Sequence, residues 1–264
     1  MRKLQLRSKD DVHYTVRLPN PSPELVSCYF FAFAKSGSTL VDNMLADYCR
    51  ACNYAYFSLF GQAFSQGITT SDVQRDALEC FQRRGYVYSG FRHYPAFELP
   101  VDNAPAVLLV RDPRDMLVSL YFSIAKSHVI PTPESRLVKE RALVLGLDLQ
   151  QFVVKRAPGY ARQLTQYLQA LSGSDLLTIR YEDGIYDKKK MLTEIVKHYG
   201  MAFKTRLITR IAADHDIIPD AEDEEAHIRQ VHPGNFRQRL KPGTIAAVNE
   251  TLAPFLDQFD YPRE

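Results

Sequence analysis

The sequence predicts an α/β protein, a parallel sheet of about four or five strands flanked by helices. Three observations carry that reading. An apolar run from Val26 to Ala34 stops at Lys35-Ser36-Gly37-Ser38-Thr39, and Leu40, Met44, Leu45 and Tyr48 then recur at helical spacing. A second run, Ala106 to Val110, ends at Arg111-Asp112-Pro113-Arg114-Asp115 and passes directly into another helical pattern. Both runs are apolar without alternation, as strands covered on both faces are, and strand, short loop and helix in succession is the grammar of a parallel sheet.

The remaining elements follow in order. Residues 1–25 read as an extended lead-in, because Pro19, Pro21 and Pro23 exclude regular helix. Residues 54–70 are aromatic, contain Gly and Ser and have no period, which predicts a loop over a cleft mouth. Ser71-Asp72 reads as the start of an amphipathic helix to about Arg84, with Val73, Ala77, Leu78 and Phe81 on one face. Tyr86 to Phe91 is a second strand, ending at Arg92-His93-Tyr94-Pro95. After the third strand, Asp112 suits the N-cap and Pro113 the first helical position, so a helix carrying Met116, Leu117, Leu120, Tyr121 and Ile124 inward starts at once.

Residues 126–149, with Pro131, Pro133 and mixed charge, read as a variable, partly helical substrate lid. Gln150 to Leu171 predicts a long helix interrupted at Pro158-Gly159. Asp175 to Arg180 is a fourth strand running into Tyr181-Glu182-Asp183, and Lys188 to Tyr199 a helix stopped by Gly200. Ala221 to Ala226 is an acidic run, a solvated loop or helix start, and Pro242 to Phe259 is the final helix. With no internal repeat or low-complexity tract, the chain reads as a single domain over 1–264.

Bulk properties bound the function. With 45% hydrophobic and 24% charged residues and a net charge of +2, the composition is globular and gives no reason to expect a nucleic acid partner; an anionic ligand must be met by local charge. Met1 to Asp10 lacks the apolar core of a signal peptide, and no run reaches the roughly 18–20 apolar residues of a membrane span, so a soluble, cytoplasmic protein is expected. Cys28, Cys49, Cys52 and Cys80 fit free thiols. Cys49-x-x-Cys52 lacks a second ligand pair and ends a helix rather than opening one, which argues against a zinc or redox site.

The junction at residues 35–39 is an anion seat by its chemistry. The first turn of a helix presents unpaired N–H groups and a partial positive charge. Gly37 permits tight backbone closure, Ser38 and Thr39 add hydroxyls, and Lys35 adds a full charge. Lysine precedes glycine here, so this is not the G-x-x-x-x-G-K-[ST] loop. The alternative is a turn whose Ser and Thr only cap the helix. Arg111 at a strand end and Ser119 eight residues on could likewise meet a phosphate, or Arg-Asp-Pro-Arg-Asp could be a capped helix start with surface ion pairs. His93 could be a general base, its ordinary pKa near 6.5 suiting it, or a packed or surface histidine.

Lys-Ser-Gly-Ser-Thr after a buried strand resembles the 5′-phosphosulfate loop, P-K-S-G-T-T-W, of the sulfotransferases that use 3′-phosphoadenosine 5′-phosphosulfate (PAPS), with Ala34 for the proline and Leu40 for the tryptophan. Val110 to Phe122 is similar to that family's 3′-phosphate motif, R-[DN]-P-[KR]-D-x-x-x-S-x-[YF], through Arg111 and Ser119. Tyr181-Glu182-Asp183 resembles its Y-E-D segment, whose tyrosine lies near the adenine. The C-terminal R-K-G-x-x-G-D-W-K pattern is matched only at Arg229, Gly234 and Arg237, with Asn235 and Phe236 for aspartate and tryptophan and Gln230 and Val231 for lysine and glycine. Phe91-Arg92-His93-Tyr94-Pro95 with Leu99-Pro100 resembles K-T-H-L-P…L-P, in which the histidine is the base and Phe91 stands where many members have a catalytic lysine.

The resemblance implies a P-loop-like sheet and a PAPS-dependent sulfotransferase that needs no metal and leaves PAP, the desulfated nucleotide. Its acceptor is a hydroxyl on a small molecule, lipid or carbohydrate. It makes Lys35 and His93 catalytic and implies nucleotide contacts from Lys35, Ser36, Gly37, Ser38, Thr39, Arg111, Ser119, Tyr181, Arg229 and Gly234. Arg92 is a candidate for the missing cation and Glu98 an alternative base. A nucleotide-dependent kinase and a catalytically silent PAP- or glycan-binding module are the other classes, and the sequence decides neither acceptor nor oligomeric state.

Overall fold

The computed structural model describes residues 1–127, 136–217 and 231–263, with the backbone alone at 126–127 and 136–140. In chain order the strands and helices are β1 (Arg2–Arg7), β2 (His13–Leu18), β3 (Cys28–Ala32), α1 (Ser38–Cys52), β4 (Ala55–Phe57), α2 (Leu59–Phe64), β5 (Tyr86–Phe91), β6 (Pro105–Val110), α3 (Pro113–Phe122), α4 (Arg136–Leu145), α5 (Leu149–Ala170), β7 (Asp175–Arg180), α6 (Tyr181–Gly184), α7 (Lys188–His198), α8 (Thr205–Asp214), α9 (Phe236–Arg239), α10 (Pro242–Thr251) and α11 (Ala253–Gln258). They form two compact units, one of Met1–Phe33, Gly37–Val110 and Gln169–Ile217, the other of Ala34–Ser36, Arg111–Leu168 and Ile218–Glu264. None of the described helices is long and apolar enough to cross a membrane.

The first unit holds the predicted sheet, five parallel strands in the order β4-β5-β3-β6-β7. The central strand β3 is buried along its whole length, as its unbroken apolar run requires. Its alternate residues serve different neighbours. Phe30 and Ala32 join Met44, Leu45 and Tyr48 of α1, Leu192 and Ile195 of α7 and Ile208 of α8 in one cluster. Tyr29 and Phe31 instead pack on β5, Tyr29 stacked against Tyr88 at 5.0 Å and Phe31 tilted against Phe91 at 4.6 Å between ring centroids. Each such side chain, fully buried, contributes about 1.5–3 kcal/mol of hydrophobic stabilisation.

The first 18 residues are more ordered than a lead-in. β1 and β2 pair antiparallel, Arg2 opposite Leu18 and Arg7 opposite His13, and bury Leu4, Leu6, Tyr14, Val16 and Leu18 on one face. The stretch 54–70 is likewise not an open loop, since it supplies β4 and α2, the latter capped by Ser58 accepting from the Gly61 amide. Two glutamines four residues apart, Gln62 of α2 and Gln66 in the turn that follows it, then act as a surrogate strand. Gln62 Oε1 accepts from Arg17 N at 2.8 Å and Gln62 Nε2 donates to Arg17 O at 3.2 Å, while Gln66 does the same to Thr15 at 3.0 and 2.8 Å. They satisfy the outer edge of β2, which would otherwise present open backbone groups.

Residues 71–84 do not form the amphipathic helix expected of them. Two short 3₁₀ turns, Thr70–Asp72 and Arg75–Cys80, stand there, because Val73 is extended and bridged to Ser8 and Arg83 O accepts from Ser27 N. Helix α5 runs through Pro158 without the expected interruption. Pro158 and Val154 are both exposed, so the carbonyl left without its amide partner faces water. The last helix is split instead, at Leu252 just ahead of Pro254, into α10 and α11. In α3, of the residues expected to point inward, Met116 and Leu117 are buried, whereas Leu120 and Tyr121 are half-buried. Of the expected lid, α4 is described and 128–135 lie outside the described residues, as does the acidic run 221–226.

Replacing Gln62 and Gln66 together by Ala removes four exposed backbone contacts from β2. Urea denaturation should show a loss of about 1–3 kcal/mol, at the low end per bond because water can replace each partner. An unchanged midpoint would show that the β2 edge needs no cover.

Candidate active site

In the first unit the anion junction is the start of α1. Its N-cap is Gly37, left-handed at φ 88° and ψ 13°, no side chain caps the helix, and its first turn carries no acidic residue. The capping role open to Ser38 and Thr39 is therefore not the one they have. Ser38 is buried and Thr39 exposed. Glycine is needed at 37 twice over. Besides the positive φ, a Cβ there would stand 2.6 Å from Cδ2 and 2.7 Å from Cε2 of Tyr181, the first residue after β7, whose ring lies against the loop backbone.

In the second unit the residues just before it, Ala34–Ser36, have their own support. The Ala34 carbonyl accepts from the Tyr160 hydroxyl of α5 at 3.0 Å, and the Lys35 carbonyl accepts from Arg111 Nη1 at 3.4 Å. Burial raises the pKa of the Tyr160 phenol well above its ordinary value, while Arg156 and Arg111 oppose that rise, so it remains a donor. Lys35 itself is at φ 69°, an unusual conformation for a residue with a side chain. Ser36 is fully buried.

The segment Arg111-Asp112-Pro113-Arg114-Asp115 is buried rather than laid out on the surface, all four charged residues being 6% exposed or less. Asp112 caps α3 by accepting from the Arg114 amide and takes a bidentate pair from the Arg114 side chain, at 2.9 Å from Nε and 2.7 Å from Nη2. Arg114 also donates to Asn249 Oδ1 and Pro262 O, and its guanidinium lies 4.1 Å from the centroid of the Phe236 ring. Asp115 accepts from the amides of Gly234 at 2.6 Å and Phe236 at 2.9 Å and stands 3.8 Å from Arg111 Nη2. Burial pushes its carboxyl up, with Arg111 pulling it down, Asp112 pushing it up and the two amides pulling it down.

The other predicted residues are distributed as follows. Ser119 is half-buried, two turns into α3. Gly234 is at φ 89° and joins Arg111 through Asp115, and Arg229 lies outside the described residues. His93 and Glu98 are exposed. Phe91 is core, packed on Phe31 and Phe60, so no lysine head group is replaced in place. Arg92 is ion-paired with Asp42 of α1, which also accepts from the Ser89 hydroxyl, so this candidate cation is already engaged. Sequence reading missed Asp115, Arg114 and Tyr160. The first two sat inside a motif read only for its arginine and serine, and nothing local marks Tyr160.

A five-stranded parallel sheet flanked by helices, with a glycine-started helix directly after its central strand, defines an α/β protein of the parallel-sheet class. The sulfotransferase domain model matches residues 28–217, well over half of the chain, which belongs to that family and to its class of enzyme. No curated protein sequence matches it. Among solved structures it resembles mouse sulfotransferase SULT7A1 complexed with PAP, at TM-score 0.58 and 15% identity over 89% of this chain and 85% of that one. It also resembles retinol dehydratase in complex with androsterone and inactive cofactor PAP, at TM-score 0.54 and 15% identity over 90% and 83%, and retinol dehydratase with retinol and PAP, at 0.53 and 14% over 93% and 85%. At such identities the likeness is one of fold.

Gly37→Ala should cost about 1–3 kcal/mol in thermal or urea unfolding, from the forced φ and the Tyr181 contact. Adding Tyr181→Ala should recover only the steric part. Full recovery would mean that the left-handed conformation is not needed.

Proposed function

We propose that this protein transfers the sulfuryl group of PAPS to a hydroxyl of a small-molecule, lipid or carbohydrate acceptor, with the chain 1–264 acting as one sulfotransferase domain. The observation that carries the reading is the start of α1: a first turn with no side-chain cap and no acidic residue, reached through a lysine and a left-handed glycine. Such a helix start fits an oxyanion, and a buried arginine held by the Lys35 carbonyl and the Asp115 carboxylate fits a second one. Two anionic groups in one ligand are what PAPS has, and the solved relatives hold PAP. Androsterone and retinol, the small molecules in the retinol dehydratase complexes, support the small-molecule class of acceptor.

When bound, PAPS supplies the activated sulfuryl group, and the transfer is a direct in-line displacement at sulfur. The chain's residues divide the remaining work. Lys35, with the amides and hydroxyls of Ser36 to Thr39, holds the 5′ end and stabilises the charge that develops there. Arg111, Ser119, Arg229 and Gly234 hold the 3′-phosphate, and Tyr181 bounds the nucleotide. His93 takes the acceptor hydroxyl's proton, a task that suits an imidazole at the exit of β5.

The deciding measurement is calorimetric binding of PAP against 5′-AMP and ATP without added metal. Preference for PAP, lost in Arg111→Ala at a cost of about 2 kcal/mol or more, supports the reading. A preference for ATP that needs Mg²⁺ would move the protein to the kinases, and tight PAP binding with no acceptor ever turned over would make it a silent binding module. With a hydroxyl acceptor in hand, His93→Ala should lower kcat by about 10²- to 10⁴-fold and Lys35→Ala by about 10²- to 10³-fold. A normal rate in His93→Ala with a collapse in Glu98→Gln would transfer the base to Glu98.

A further inference from the structure

Within the second unit one carboxylate connects three stretches that sequence reading kept apart. The Lys35 carbonyl accepts from Arg111 Nη1, Arg111 Nη2 faces Asp115 Oδ2 at 3.8 Å, and both Asp115 oxygens accept backbone amides, Oδ2 from Gly234 and Oδ1 from Phe236. Asp115 is 1% exposed, so water does not compete for it. The turn it holds is further secured by the Phe236 ring, which lies between the guanidinium groups of Arg114 at 4.1 Å and Arg237 at 4.7 Å. Gly234, at φ 89°, sits where the chain bends to offer its amide.

We infer that Asp115 is a positioning residue for the anion site, fixing the Arg111 guanidinium and the 234–236 turn relative to each other so that a phosphate at Arg111 is sensed at the turn. The physical reason is charge sharing. Without a ligand, Asp115 is the counter-ion described for Arg111. A phosphate at Arg111 takes over part of that role, and the carboxylate then bonds more strongly to the two amides that remain. The inference rests on the PAP reading for the identity of the ligand, but its geometry belongs to the protein alone. Asp115 touches no ligand in this scheme; it acts through Arg111 and the turn.

Asp115→Asn keeps the shape but loses the charge and one acceptor. A role in general packing would weaken PAP and 5′-AMP binding alike. The positioning role predicts instead that PAP affinity falls about tenfold or more while 5′-AMP affinity changes less than threefold, and that Arg111→Ala/Asp115→Asn binds PAP no worse than Arg111→Ala alone. Equal losses for the two nucleotides, or additive losses in the double variant, overturn the inference while leaving PAP as the ligand. Failure of the unaltered protein to bind PAP overturns the ligand reading, and this inference with it. Should the variant not fold, amide hydrogen exchange in the unaltered protein decides: saturating PAP should slow exchange at Gly234 and Phe236 about tenfold more than saturating 5′-AMP does. Equal protection by both nucleotides, or none, refutes it.

Discussion

The structure depends on how the chain leaves its most buried strand. β3 has no exposed residue, so the turn after it must redirect the backbone within Ala34 to Gly37 while leaving no carbonyl stranded. Positive φ at Lys35 and again at Gly37 makes the turn, and the carbonyls it exposes are received by Tyr160 and Arg111. The amides on the far side of the turn are treated differently. No side chain caps α1, and its first turn has no acidic residue to neutralise the helix dipole. Internally satisfied carbonyls beside a helix start without a side-chain cap give this turn the polarity that the proposed oxyanion loop would need.

The start of α3 is the opposite arrangement, and the contrast shows what each arginine does. There the first turn is satisfied by the protein's own Asp112, and Arg114, which is fully buried, has all its described partners within the second unit. Removing one side of such a buried pair leaves an uncompensated charge, a loss of about 3–5 kcal/mol. Arg114 is thus a fastening. Arg111, three residues earlier, donates to the Lys35 carbonyl at 3.4 Å and faces the Asp115 carboxylate at 3.8 Å, both longer than the contacts of Arg114 with Asp112. The two arginines differ in their surroundings, not in their chemistry.

The sheet explains a departure from the family pattern. Position 91 is a phenylalanine in a chain of aromatic contacts through Phe31, Tyr29 and Tyr88, and a lysine there would bury an ammonium among rings. Arg92, the neighbouring cation, is tied to Asp42 near the start of α1. His93 therefore follows a residue anchored to α1, both within the first unit.

The sequence by itself determined what depends on neighbours along the chain. Strands β3 and β6 were legible because unbroken apolar runs are buried runs; the Asp112-Pro113 helix start and the Gly200 stop were legible because caps act over one turn. The family motifs were legible for the same reason, being short stretches at fixed spacing. Only the tertiary structure decided the rest. Residues 71–84 lost their helix because Ser8 and Ser27 engage that stretch from more than fifty residues away, and α5 kept its course through Pro158 because that face is open to water. The part played by Asp115 was hidden for the same reason: its partners are amides 119 and 121 residues further on, and a backbone amide looks the same in every sequence until folding sets it beside a carboxylate.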